Sequence, residues 1–252
     1  MSAVAVLVRT ARAEWSRLWT VRSTWFLVVA VSLAVVGLGA LAGVDTANGI
    51  GAFTSAWDAA RFTTLFAMFG ISALAVVATT SDYTTGGIVP TLQWTPRRGL
   101  LLLARSLVVG GTAVALGALL VTGASGMVAL QTPGAGLPAD EGLRLLGDVA
   151  VVVGSSALLS VGLGLLLRST AGALVSVLAL LLVLPLVLGN LPYEAAQTLA
   201  ADLPGAGAMY LVFGNAPGDS MTEASARAIL LGWAGASLVL GGWRLLRTDA
   251  SR

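Results

Sequence analysis

The chain contains no histidine, no cysteine and no lysine, so its ionisable chemistry rests on fourteen arginines and twelve carboxylates. That inventory excludes His-x-x-x-His zinc sites, Ser-His and Ser-Lys dyads and thiol nucleophiles. An aspartyl mechanism needs two carboxylates sharing one site, and no apolar segment carries such a pair. A P-loop, G-x-x-x-x-G-K-[ST], needs a lysine on the β and γ phosphates, so the chain has no ATPase motif of its own. We therefore expect no catalysis, no metal and no cofactor bound to this chain. The absence of cysteine also removes any disulfide framework.

The polar residues that remain informative fall between apolar segments. The chain has 252 residues, of which 57% are hydrophobic and only 10% charged, with a mean hydropathy of +0.91. A soluble domain carries about 25% charged residues, so most of this chain belongs in lipid. A hydrocarbon core about 30 Å thick needs about 20 apolar residues of helix. Six segments qualify: residues 25–44, 62–80, 106–130, 149–167, 171–190 and 228–246. Five contain no charged side chain, and the sixth carries only Arg244, one turn from its end, where it can snorkel to the headgroups. The expected fold is an all-α integral membrane protein with residues 1–24 as an interfacial helix, 25–246 as a six-span domain and 247–252 as a tail.

Loop arginines orient such a bundle. One side collects Arg9, Arg12, Arg17, Arg22, Arg97, Arg98, Arg105, Arg168, Arg244, Arg247 and Arg252, against Arg61, Arg144 and Arg227 on the other. Both termini are therefore expected to be cytoplasmic. Ala40-Leu41-Ala42 fits a signal-peptidase site, but the preceding basic stretch and the apolar run are both longer than in a signal peptide, so the first segment is read as a span.

Ahead of it, Val4, Leu7, Val8, Ala11, Trp15, Leu18 and Trp19 recur at three- and four-residue spacing, with Arg9, Arg12, Ser16 and Arg17 pointing elsewhere. This predicts a basic amphipathic helix in the membrane interface, its tryptophans at headgroup depth. The loop 81–99 is the most informative polar segment. Gly86 and Gly87 allow a reversal, Thr91 and Leu92 open a short helical turn that runs to Trp94, and Pro96 stops it. Arg97, Arg98 and Arg105 are expected to hold the start of the third span at the anionic surface. Arg105 and Asp148 are placed at span ends, which leaves the span interiors without ionisable groups.

Small residues four apart, Ala113 with Gly117, Ser160 with Gly164 and Gly232 with Ala236, are expected to let helices approach, inside one bundle or, as the alternative, at a dimer interface. Pro185 frees a backbone carbonyl in the fifth span and is expected to kink it.

Two patches carry a resemblance. Glu14-Trp15, Arg17-Leu18 and Val21-Arg22-Ser23-Thr24-Trp25 join the amphipathic helix to the first span. Asp82-Tyr83, a glycine, Thr91-Leu92 and Thr95-Pro96-Arg97-Arg98-Gly99 follow the second span. Together with the six-span plan they resemble the permease subunits of ABC-2 type transporters, in the form common in actinomycete-like genomes. Asp82 stands where the family often has glutamate, and Arg105 fills the place of a basic residue after the Pro-Arg-Arg element. Segment 191–226, with Leu203-Pro204-Gly205-Ala206-Gly207, is similar to the family's short extracellular helices.

The resemblance implies a permease in a bacterial plasma membrane, half of the membrane core of an exporter such as those that confer antibiotic resistance. It implies a separate cytoplasmic ABC ATPase that holds ATP and Mg, and a second permease chain as homo- or heterodimer partner. It gives Asp82, Tyr83, Gly86, Gly87, Thr91, Leu92, Pro96, Arg97 and Arg98 as an ATPase-coupling loop, with the helix bearing Arg9, Arg12, Trp15, Arg17 and Trp19 beside it. Membrane lipids and a small-molecule or peptide substrate complete the expected partners; nucleic acid is not among them. An ion-coupled carrier and a non-transporting sensor or immunity module are the alternatives.

Overall fold

A computed structural model describes residues 2–50, 53–84, 98–215 and 221–247. Among these the chain is all-helical, and six helices are long and apolar enough to cross a membrane. In order they are α1 (Ala3–Thr20), α2 (Arg22–Ala47), α3 (Ala56–Ala60), α4 (Thr63–Thr84), α5 (Arg98–Gln131), α6 (Ala139–Leu167), α7 (Thr170–Gly189), α8 (Glu194–Ala201), α9 (Pro204–Phe213) and α10 (Glu223–Arg247). The six long apolar helices are α2, α4, α5, α6, α7 and α10.

Side-chain caps set several helix starts. Ser2 accepts a hydrogen bond from the Ala5 amide, Ser55 from Asp58 and Ser169 from Gly172, each supplying an acceptor to a first-turn N–H that has none within its helix. α6 ends where Arg168 takes the left-handed conformation at φ 55°, a place usually given to glycine.

α5 and α6 begin 8 and 10 residues earlier than the apolar runs at 106 and 149. Hydropathy marks only the part of a helix that needs lipid, whereas backbone hydrogen bonding carries the helix on through Arg98–Arg105 and Ala139–Asp148. Arg105 and Asp148, expected at span ends, thus lie about two turns inside helices.

Most of α6 is buried among the other helices, whereas α2 and α7 have few buried residues. Glycine sets the closest crossings. A Cβ at Gly162 of α6 would lie 2.3 Å from the Ser237 carbonyl carbon of α10, and one at Gly39 of α2 would lie 2.6 Å from the Ala124 Cα of α5. Ala113 is buried and Gly117 faces Val153 of α6; Ser160 and Gly164 are buried too, with Gly164 against Thr79. The third predicted pair does not pack within the chain: Gly232 and Ala236 are exposed, and α10 packs through Ala234, Ser237 and Gly241 instead. A small-residue spacing recurs on several helix faces, and the contacts alone select among them.

Pro185 acts as its chemistry requires. It has no N–H for the Leu181 carbonyl, and α7 widens to a π turn over Ala179–Val183 just before it. The backbone of α9 closes over that carbonyl, where a Cβ on Gly205 would come within 2.1 Å of the Leu181 oxygen. Segment 191–226 supplies the two short helices α8 and α9.

Candidate functional site

The polar centre of the molecule lies where α1, the last turns of α4 and the first turns of α5 meet. Glu14 of α1, Asp82 of α4 and Arg105 of α5 are each buried, and Arg105 is 2% exposed. Arg105 Nε donates to Glu14 Oε2 at 2.9 Å and Nη2 to Glu14 Oε1 at 3.0 Å, a bidentate fork. Nη2 also donates to Asp82 Oδ2 at 2.7 Å. Arg17, half-buried, pairs with the same Asp82 carboxylate, lies 3.3 Å from Glu14 and donates to the Ala78 carbonyl at 2.7 Å. Two arginines and two carboxylates thus close one neutral cluster. A cavity of about 20 Å³, room for a single water, adjoins Glu14 and Arg17.

The cluster corrects the expectation that Arg105 reaches the anionic surface. An arginine two turns inside an apolar helix is costly unless paired, and α1 and α4 supply carboxylates on the side it faces. It also revises the faces of α1. Thr10, Glu14 and Leu18 are buried against the bundle, while Val4, Val8 and Trp15 point outward. Arg9 and Arg12 are exposed and Trp19 is half-buried.

The same end of the bundle is held by further arginines. The Arg168 guanidinium lies 5.3 Å over the Tyr83 ring, Arg98 donates to the Leu245 carbonyl at 3.0 Å, and Arg244 donates to the Leu166 carbonyl. α1 and the end of α10 therefore share one end of the bundle. Asp148 and Arg227 pair at 3.0 Å on α6 and α10.

Of the residues expected to form the coupling loop, Asp82 and Tyr83 close α4 and Arg98 opens α5. Gly86, Gly87, Thr91, Leu92, Pro96 and Arg97 lie outside the described residues. In the sequence Glu14 and Arg105 stand out only as part of the resemblance and as a surface anchor; their pairing is what sequence reasoning missed.

Two other concavities are notable. One between α4 and α7 is apolar, about 220 Å³, and is lined by Phe69, Ala73, Leu174, Val175, Val177 and Leu178. The other, at the far end of the bundle, is polar, about 190 Å³, and includes Trp57, Asp58, Arg61, Glu141 and Arg144. No group of histidine, cysteine, aspartate and glutamate fit to hold a metal occurs among the described residues. No protein-family model matches this chain, and no curated protein matches it.

Proposed function

We propose that the chain is the membrane-spanning permease subunit of an ATP-driven exporter, half of a transmembrane core that couples to a separate cytoplasmic ATPase. The observation that carries the reading is the Glu14–Arg17–Asp82–Arg105 cluster. It fastens α1 and α5 to the end of α4 on either side of segment 85–97, so a push on that segment is delivered to two spans and the interfacial helix together. The chain has no lysine with which to build its own P-loop, and energy from ATP has to enter through a partner. The resemblance of segment 82–99 to a coupling element supplies the point of entry.

In this reading the arginine-rich end, with both termini, faces the cytoplasm of a bacterial plasma membrane, and a second permease chain completes the pathway. The apolar cleft between α4 and α7 suits apolar or amphipathic small molecules and peptides. Reconstitution with the ATPase tests the proposal: substrate release across the bilayer should depend on ATP hydrolysis, and release that persists without nucleotide contradicts it.

One observation favours a second reading, an ion-coupled carrier: two carboxylates are buried beside a membrane-embedded arginine. Each carboxylate, however, is already paired with arginine. Uptake or efflux driven by a proton or sodium gradient alone would favour this reading over the first.

A further inference from the structure

The elbow between α1 and α2 carries a feature that the ionic cluster does not use. Trp15, Trp19 and Trp25 pack in sequence, the first pair edge-to-face and the second tilted, with ring centroids 5.7 Å and 5.2 Å apart. The Trp25 indole donates to the Trp19 carbonyl at 2.9 Å, which fixes the elbow. Over them lies a shallow, open hollow of about 540 Å³ lined by Trp15, Ser16, Trp19, Thr20 and Trp25, with no carboxylate among the lining residues.

Arg12 precedes Trp15 by three residues on α1, and Arg22 precedes Trp25 by three on α2, a spacing that puts each arginine on its tryptophan's side of the helix. Both arginines are exposed and have no acidic partner among the described residues. Their helix-mates differ: Arg17 is committed to Glu14 and Asp82. α1 thus carries one paired, half-buried arginine, Arg17, and two exposed ones, Arg9 and Arg12. Unpaired cations one helical turn from the tryptophans that line this hollow, at the start of an apolar helix, complement a ligand that is anionic at one end and apolar at the other.

We propose that this elbow binds one anionic phospholipid, its phosphate held by Arg12 and Arg22 and its acyl region against Trp15, Trp19 and Trp25. The site makes α1 more than a general membrane anchor, because it selects the lipid headgroup. The proposal rests on the chain lying in a membrane and is independent of the transporter reading.

Native mass spectrometry of the detergent-purified full chain, titrated with phosphatidylglycerol or phosphatidylcholine, tests it. The wild-type protein should retain one phosphatidylglycerol with on the order of tenfold preference over phosphatidylcholine, and R12Q/R22Q should lose that preference. R144Q, which alters an exposed arginine at the opposite end of the bundle, should keep it. Equal retention of the two lipids by the wild-type protein overturns the proposal and leaves an unselective apolar anchor. An unchanged preference in monodisperse R12Q/R22Q also overturns it, by moving the lipid to another site.

Discussion

Arg105 grips Glu14 through two parallel hydrogen bonds, 2.9 Å and 3.0 Å long, that join α5 to the amino-terminal helix across 91 residues of sequence. A fork of this kind, with Asp82 also bonded to its Nη2, adds little net stability: desolvating the ions offsets most of their attraction, but removing one partner strands the others.

Replacing Arg105 by methionine should therefore destabilise the protein by about 3–5 kcal/mol, because Glu14 loses its fork and Asp82 one of its two arginines. Methionine keeps the apolar volume, so the loss reports on charge. The double variant E14L/R105M should recover part of it. Thermal unfolding in detergent provides the comparison, and an R105M protein as stable as wild type would show that the cluster is not formed.

D82N tests whether the cluster transmits force as well as holding the fold. The asparagine side chain can still accept a hydrogen bond through its carbonyl oxygen but no longer neutralises two arginines. In the permease reading, D82N and E14Q should both weaken ATPase association or ATP-driven transport although both positions are buried. R97A/R98A should do so by direct contact, leaving membrane insertion intact. Pull-down of the ATPase by each variant separates the effects; full binding by all three would remove this region from the interface.

Glycine substitutions should sort by what each Cβ meets. G162A and G205A drive a methyl to 2.3 Å and 2.1 Å from backbone atoms of neighbouring helices and should cost roughly 1–3 kcal/mol each. G232A, with nothing within 4 Å, should be neutral or slightly stabilising through helix propensity. Equal melting temperatures for the three would contradict the packing described for α6, α7, α9 and α10.

Because the chain has no cysteine, single cysteines report topology without background. S2C should be shielded from a membrane-impermeant maleimide added to intact cells, and N48C, at the far end of α2, should react. The reverse pattern would place the arginine-rich end outside.

The six long apolar helices were legible because an apolar run of about twenty residues matches the hydrocarbon thickness and is rare in a water-soluble helix. The freed carbonyl before Pro185 was legible from proline's chemistry. Helix ends were not: α5 and α6 extend through charged residues that hydropathy treats as loop. Nor was rotation about a helix axis. Depth alone assigned Arg105 to the lipid headgroups, whereas its azimuth turns it onto Glu14 and Asp82. The outward placement of Gly232 follows from the same lack. Of the candidate site, Asp82 and Arg17 were identified in advance; the pairing of Glu14 with Arg105 required the tertiary contact, because no local pattern links positions 91 residues apart.

The most direct measurement is affinity purification of the tagged chain from its native host in mild detergent, with mass spectrometry of what remains bound. The account predicts a P-loop ATPase in stoichiometric amount, lost when the coupling region is altered. Recovery of the chain without any such ATPase, across several detergents that preserve its fold, would contradict it.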